Sequence, residues 1–233
     1  VHPPFISLVI PCFNEEKRVN AMLLALEQFQ KRWPHSLEII VVDDGSTDKS
    51  IPLLQTQAGN LPLQLLTQQN TGKGGALQRG VAAAQGEYIL TLDADMATPP
   101  EELLTWMELR SWDKQTIFIG SREINRTKVK DKPLREFIGR LFNQIIRLLT
   151  GLAIRDTQCG FKLYPRLIGQ ELFQALQTLG WAHDVELLVR AKKKNISVVE
   201  MPVQWKAVEG SKIRVLRDSW KMFWEVVRIR GMR

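Results

Sequence analysis

Only two cysteines stand in 233 residues, Cys12 and Cys159, far apart and with no metal-ligand spacing around them. That argues against a disulfide framework and a zinc site and points to reduced thiols in a cytosolic setting. No segment approaches the ~20 uninterrupted apolar residues of a membrane span. The first residues lack the charged and apolar regions of a secretory signal. The chain is therefore expected to start soluble, and its opening at Val1, without Met and almost on the first strand, leaves open the removal of an upstream segment. Internal repeats and low-complexity tracts are absent. Two nucleotide signatures are missing as well. In Asn70-Thr71-Gly72-Lys73-Gly74-Gly75, Gly74 follows Lys73 where a Walker loop requires Ser or Thr, and the G-x-G-x-x-G spacing is lacking. Both a P-loop NTPase and a nicotinamide enzyme are thereby disfavoured.

What is present suffices for one sizeable core, since 44% of the residues are hydrophobic. One domain with appendages is expected. The 32 Lys and Arg against 25 Asp and Glu leave a net charge of +7, which implies an anionic partner: a nucleotide, a nucleic acid or a phospholipid surface.

Apolar runs and 3.6-residue periods alternate. Ile6 to Pro11 reads as a strand, followed by a helix through Val19, Met22, Leu26 and Phe29. Leu37 to Val42 and Leu63 to Thr67 are two further strands, each followed by a helix. Tyr88 to Asp95 is a fourth strand, Pro99 to Ser111 a helix, and Thr116 to Gly120 a fifth strand. Such alternation predicts parallel βαβ units in a doubly wound sheet, whose ligands bind at the carboxyl ends of the strands. Those ends carry Pro11 to Glu15, Asp43-Asp44, Gly72-Lys73 and Asp93-Asp95. Neighbouring aspartates repel each other unless a cation lies between them, and all-oxygen donors suit Mg2+ or Mn2+. Alternatively, Asp95 closes the turn that caps the next helix. The glycine loop is likewise either a phosphate contact or a tight turn.

Beyond Gly120, a basic stretch leads to a helix with a wide apolar face around Phe137, Leu141 and Leu148, expected to pack on the core. Gly151 to Tyr164 reads as an irregular loop. Helices are expected near Leu167 to Leu179 and His183 to Lys194, and Ile196 to Trp205 as a strand-like return. His183 reads as a capping or core histidine. The segment from Ser211 to Arg233 sets Leu216, Trp220, Phe223, Trp224 and Val227 along one face among many cations. It suits either a membrane interface or a helix docked on the sheet.

Taken together, Ile10-Pro11-Cys12-Phe13-Asn14-Glu15-Glu16, Val41-Val42-Asp43-Asp44-Gly45-Ser46, Asn70-Thr71-Gly72-Lys73-Gly74 and Asp93-Ala94-Asp95 resemble the family 2 glycosyltransferases of GT-A fold. Three further stretches, Ile154 to Leu163, Trp181 to Leu188 and Val203 to Lys212, are similar to dolichyl-phosphate β-glucosyltransferases and their bacterial polyprenyl-phosphate relatives. The resemblance implies an α/β fold with a mostly parallel sheet flanked by helices and with C-terminal amphipathic helices. It implies inverting transfer of glucose from UDP-glucose to a polyprenyl phosphate, dependent on Mg2+ or Mn2+.

Position by position, it assigns Pro11, Phe13, Glu15 and Asp43 to the uridine and Lys73 to the nucleotide. Asp93 would face ribose or the metal, and Asp95 would ligate the metal. Arg122 and Asp156 are expected to be catalytic with Asp95, and Arg135, Lys162 and Lys212 to meet the acceptor. Residues 1–121 would form the nucleotide-sugar region, 122–210 the acceptor part of the same domain, and 211–233 a membrane-interface segment. The chain would lie peripherally on the cytoplasmic face of a membrane and bind no nucleic acid. Where mannosyl relatives carry a Gln ligand, Ala97 stands here, leaving water or diphosphate to complete the metal's shell. A GDP-mannose enzyme and a non-catalytic basic module are the competing readings.

Overall fold

The computed structural model describes residues 5–124, 129–130, 133–208 and 215–231. In chain order the elements are β1 (Ile6–Cys12), α1 (Val19–Arg32), β2 (Leu37–Asp43), α2 (Ser50–Gln57), β3 (Leu63–Thr67), α3 (Lys73–Ala83), β4 (Tyr88–Thr91), α4 (Glu102–Leu109) and β5 (Thr116–Ser121). They continue with β6 (Val129–Lys130), α5 (Pro133–Thr150), β7 (Lys162–Pro165), α6 (Arg166–Gln174), α7 (His183–Lys193), β8 (Ser197–Pro202), β9 (Trp205–Lys206) and α8 (Val215–Gly231).

Seven strands make one sheet in the order β3-β2-β1-β4-β7-β5-β8, and a parallel two-residue ribbon pairs β6 with β9. The seven-stranded sheet is parallel except for β7, which runs antiparallel to both neighbours. The chain builds β1, β2 and β3 outward on one side, then crosses to place β4 on the other side of β1. That reversal opens a crevice at the carboxyl ends of β1 and β4, the usual ligand position in open α/β sheets.

Strands β1, β2, β4 and β5 are almost continuously buried because helices cover both faces, while the edge strands β3 and β8 are only partly so. One face gathers Leu8, Leu26, Phe29 and Trp106; the other gathers Val9, Val81, Leu172, Val185 and Val226. Each such side chain removed from water contributes roughly 1.5–3 kcal/mol, so the layers are held chiefly by apolar contact.

Two expectations change. The fourth strand stops at Thr91 rather than Asp95, and Leu92 to Asp95 leave it as a turn closed by Met96 N–H on the Asp93 carbonyl at 3.1 Å. The stretch read as an irregular loop up to Tyr164 ends in β7, inserted between β4 and β5. Its sequence, Lys-Leu-Tyr-Pro, carries a lysine and a proline that disfavour a central strand by composition. Tertiary pairing overrides that bias: Pro165 falls at the strand's end, and Lys162 finds a buried carboxylate.

Helix α8 docks on the core, one of the two readings of the C-terminal segment. Val226 and Ile229 are buried against the core, while Trp220 and Trp224 are 65% and 55% exposed. In α5 the face on the core is carried by Ile146, with Phe142 and Leu149 packed beside it, whereas Leu141 and Leu148, expected on that face, point outward. Among the described residues, no helix is long and apolar enough to cross a membrane.

Candidate active site

The loops after β1 and β2 are stitched together through side chains. Asn14, at φ +53°, accepts the Thr47 N–H at 2.7 Å through its side-chain oxygen, and its own N–H donates to Ser46 Oγ at 2.8 Å. Asn tolerates this left-handed conformation better than most residues. Glu15 N–H donates to Ser50 Oγ at 2.7 Å, and Glu16 N–H to Asp48 at 3.1 Å. Pro11 and the half-exposed Phe13 thus flank a loop of fixed shape. The Glu15 carboxylate pairs with Arg18 at 2.9 Å.

The two acids of Asp43-Asp44 divide their work. Asp44 accepts Gln68 Nε2 at 2.7 Å, Thr71 N–H at 2.9 Å and Gly72 N–H at 2.8 Å, tying the end of β2 to the glycine loop. Asp43 is fully buried, and its Oδ2 accepts the Gly45 and Ser46 N–H groups. Its Oδ1 is buried without a hydrogen-bond partner. A buried acceptor left unpaired costs about 1–3 kcal/mol, so this oxygen has unused capacity to accept an N–H.

The glycine loop is pressed against residues 178–183. Gly74 N–H donates to Leu179 O at 2.8 Å, and a Cβ on Gly74 would meet both His183 Cβ and Thr178 O at 2.8 Å. Only glycine permits that approach, which places Lys73 as the first residue of α3. Lys73 Nζ lies 2.5 Å from Asp93 Oδ1 and 5.8 Å from the centre of the Trp181 ring. Burial works against its charge, but Asp93, Asp184 and Asp95 outweigh it and raise its pKa. The loop is therefore a tight turn that also delivers a cation to the acidic turn.

In that turn, Asp95 Oδ1 accepts the Ala97 N–H at 3.0 Å, and Met96 is held at φ +54°. Asp95 makes no side-chain cap on α4, whose first residues follow Glu101. Burial, followed by the neighbouring charge of Asp93, pushes the Asp95 carboxyl above its ordinary range against the pull of Ala97 N–H, Arg18 and Lys73. Paired hard carboxylates under mutual repulsion fit a divalent cation. Among the described residues no group of three or more His, Cys, Asp or Glu could hold such an ion, so substrate oxygens and water would complete its shell. The Ala97 carbonyl accepts Lys206 N–H at 2.9 Å, bringing β9 alongside the turn.

Arg122, just past β5, meets Asp156 in a fork, Nε to Oδ2 at 2.7 Å and a terminal nitrogen to Oδ1 at 2.9 Å. Its guanidinium also lies 5.5 Å from the centre of the Trp205 ring. Asp156 is buried, and although desolvation opposes its charge, Arg122 holds its pKa below the ordinary value. Its carboxylate is thus engaged in orienting Arg122.

Lys162, expected to contact the acceptor, is placed elsewhere. It is fully buried, with Nζ 2.6 Å from Asp184 and 2.5 Å from the Cys159 carbonyl, so its ammonium is used inside the fold. Lys212 and the side chain of Arg135 lie outside the described residues. His183 is a core residue, its Nδ1 2.8 Å from Gly180 O.

Asp44, Asp184, Trp181 and Trp205 stand within motifs read from the sequence, but none was given a role there. A lysine between Phe161 and Leu163 was the available signal for Asp184, because a charge in an apolar run requires a buried partner.

The family model described as glycosyl transferase family 2 matches residues 7–173. A dolichyl-phosphate beta-glucosyltransferase of Trichomonas vaginalis is 37% identical over 236 residues, 97% of this chain and 72% of that protein. The Saccharomyces cerevisiae enzyme of the same name is 34% identical over 97% of this chain and 74% of its own, and the human one 38% over 89% and 69%. Among solved structures, glucosyl-3-phosphoglycerate synthase from Mycobacterium tuberculosis, in complex with Mn2+, UDP and its product, superposes with a TM-score of 0.71. At 20% identity, covering 99% of this chain and 81% of that one, it shares the fold. The chain belongs to glycosyl transferase family 2 and, within it, is a glycosyltransferase of the dolichyl-phosphate β-glucosyltransferase group.

Proposed function

We propose that this chain transfers glucose from UDP-glucose to the phosphate of a polyprenyl lipid with inversion, using Mg2+ or Mn2+ held by Asp95 with Asp93. The observation that carries the reading is the cluster at one sheet edge. There Lys73 is paired with Asp93 beside Asp95, and the unpartnered Asp43 oxygen lies on the neighbouring side of β1. The orphan oxygen suits the imide N–H of uracil, with Pro11, Phe13 and Glu15 on the adjoining loop. The names of the relatives and the UDP-glucose complex of the mycobacterial enzyme support the donor.

A phosphate monoester has a second pKa of about 6, so at neutral pH the acceptor is already largely a dianion and needs no strong base. Asp184 is poorly suited to be one, since Lys162 and His183 outweigh its burial and hold its carboxyl at about 2. The chain's own residues align the acceptor behind the anomeric carbon and steady the anionic groups. Lys73 serves the nucleotide side and Arg122 a phosphate. When bound, a divalent ion supplies charge neutralisation for the departing diphosphate. Attack opposite UDP converts an α-linked donor into a β-linked product. Residues 1–121 serve the donor and 122–210 the acceptor, within one sheet that β7 joins together.

Purified protein given a short polyprenyl phosphate is expected to form the hexosyl lipid with UDP-glucose and not with GDP-mannose, and to stop when EDTA removes divalent ions. Mass spectrometry of the lipid reads the result. Mannosyl product, or glucosyl product that persists in EDTA, overturns the donor or the metal assignment respectively.

A peripheral contact with membrane accords with the outward Trp220, Trp224, Leu141 and Leu148 and with the chain's +7 charge. Trp220→Glu with Trp224→Glu is expected to lower binding to anionic vesicles at least about tenfold in flotation assays. Transfer to a water-soluble short-chain acceptor should change little. Unchanged flotation would exclude this face.

A further inference from the structure

Glu200, on β8, has no part in the site as described so far, yet both its oxygens are committed to one loop. Its Oε2 accepts the Arg155 N–H and its Oε1 the Asp156 N–H, each at 3.0 Å. A carboxylate that takes two consecutive backbone N–H groups fixes the peptide between them in position and orientation, through charge-assisted bonds stronger than neutral ones. The immobilised residue is Asp156, which presents its carboxylate to Arg122 in the fork and also accepts the Arg122 backbone N–H at 3.1 Å. Trp205, five residues after Glu200 on the same returning segment, supplies the ring beneath the guanidinium. One short segment, β8 to β9, thus governs Arg122 twice: through Glu200 and the loop, and through Trp205 directly. A third of the Arg122 side chain stays accessible, so the cation is gripped from within and reachable from outside. On the far side of the loop, Thr157 Oγ1 donates to Asn143 Oδ1 at 2.7 Å, so α5 steadies the end that Glu200 does not hold.

We propose that Glu200 is a positioning residue: by clamping the 155–156 backbone it sets the Asp156 carboxylate, and through it the angle at which the Arg122 guanidinium receives a phosphate oxyanion of a substrate. This rests on the glycosyltransferase reading that gives Arg122 a phosphate. The oxyanion belongs either to the lipid phosphate or to the nucleotide diphosphate, and the two share one chemistry.

Calorimetric titration of the intact chain with farnesyl phosphate alone, and separately with UDP plus Mn2+, distinguishes the two sources. Arg122→Ala first shows which probe Arg122 holds. Glu200→Ala is then expected to weaken that same probe about tenfold and to leave the other within twofold. The double variant should bind no more weakly than Arg122→Ala, because Glu200 acts only through the arginine. Glu200→Gln keeps one acceptor oxygen for the two N–H groups and should fall between wild type and Glu200→Ala. If Glu200→Ala does not fold, the Gln variant decides by the same comparison.

Wild-type affinities in the Glu200 variants alongside a loss in Arg122→Ala would overturn the positioning role and leave the phosphate role of Arg122 standing. Equal loss of both probes in a Glu200 variant with a lowered melting temperature would likewise overturn it, in favour of general support of the fold. Unchanged binding of both probes by Arg122→Ala would remove the phosphate role of Arg122, and the positioning role with it.

Discussion

Asp95→Asn is expected to reduce glucosyl transfer by at least about a thousandfold while leaving the folded protein as stable as the wild type, or slightly more so, in EDTA. The first half follows from the chemistry asked of the acidic turn. If Asp95 is the principal protein ligand, its loss removes stabilisation of the leaving diphosphate, and about 4 kcal/mol of transition-state energy corresponds to that rate. The second half follows from the carboxylate's surroundings. Burial and Asp93 raise the Asp95 pKa, so its ionised form is disfavoured in the metal-free fold. A raised pKa contributes stability below the unfolded value that is lost as pH rises through the folded one. The wild type in EDTA should therefore lose stability across and just above the ordinary carboxylate range, and Asp95→Asn should not. Asn retains the acceptor for Ala97 N–H, which makes it the cleaner variant; Asp95→Ala should be equally inactive and lose about 1 kcal/mol more. Mn2+ should raise the wild-type melting temperature and leave that of the variant unchanged. Transfer near the wild-type rate in either variant, or Mn2+ stabilisation of Asp95→Asn, would remove Asp95 from the metal role.

Much of this arrangement was legible in the sequence, for reasons specific to particular residues. The apolar runs ending at Cys12 and Asp43 are long enough to be strands wherever they pack, and the acids and glycines after them fall where a parallel sheet exposes its carboxyl edge. The split between Asp43 and Asp44 was not legible. Adjacent residues with the same side chain face different neighbours, and only the fold shows that one orders the glycine loop while the other keeps a spare oxygen. The strand β7 was hidden because its local composition disagrees with its central place in the sheet, and periodicity cannot reveal a strand of four residues. Arg122 was singled out as a candidate, but the partners that aim it come from the loop before β7 and from β8 and β9, segments remote in sequence. Lys162 was misplaced for a related reason. A lysine near a site motif suggests a contact with substrate, and only the depth of β7 reveals that its charge never leaves the interior.

That buried charge leads to the largest expected effect on stability. Lys162→Met should destabilise the protein by about 3–5 kcal/mol, the usual penalty for removing one partner of a buried pair, and lower the melting temperature by roughly 6–20 °C for a domain of this size. Lys162 is fully enclosed, and Asp184 is almost so, at 2.6 Å from it. Desolvation opposes the Asp184 charge, yet Lys162 leads the groups that bring its carboxyl to about 2. A depressed carboxylate pKa contributes stability above the unfolded value, near 3.9, that is lost as pH falls toward about 2; the size is of the order of 2 kcal/mol. Without the ammonium, Asp184 retains only His183, whose own charge is disfavoured by burial, and Lys73, which is already paired with Asp93. The acid unfolding of Lys162→Met should accordingly begin at higher pH than that of the wild type. Asp184→Asn should be comparably unstable, because it leaves the ammonium enclosed without its counter-charge. Replacing both, as Lys162→Met with Asp184→Leu, should recover most of the loss, since a well-packed apolar pair is spared the desolvation of two charges. Thermal and acid melts of the four proteins test the argument together. If the single variants melt within 2 °C of the wild type, or the double variant is no better than either single one, the pair is not what holds β7 to α7.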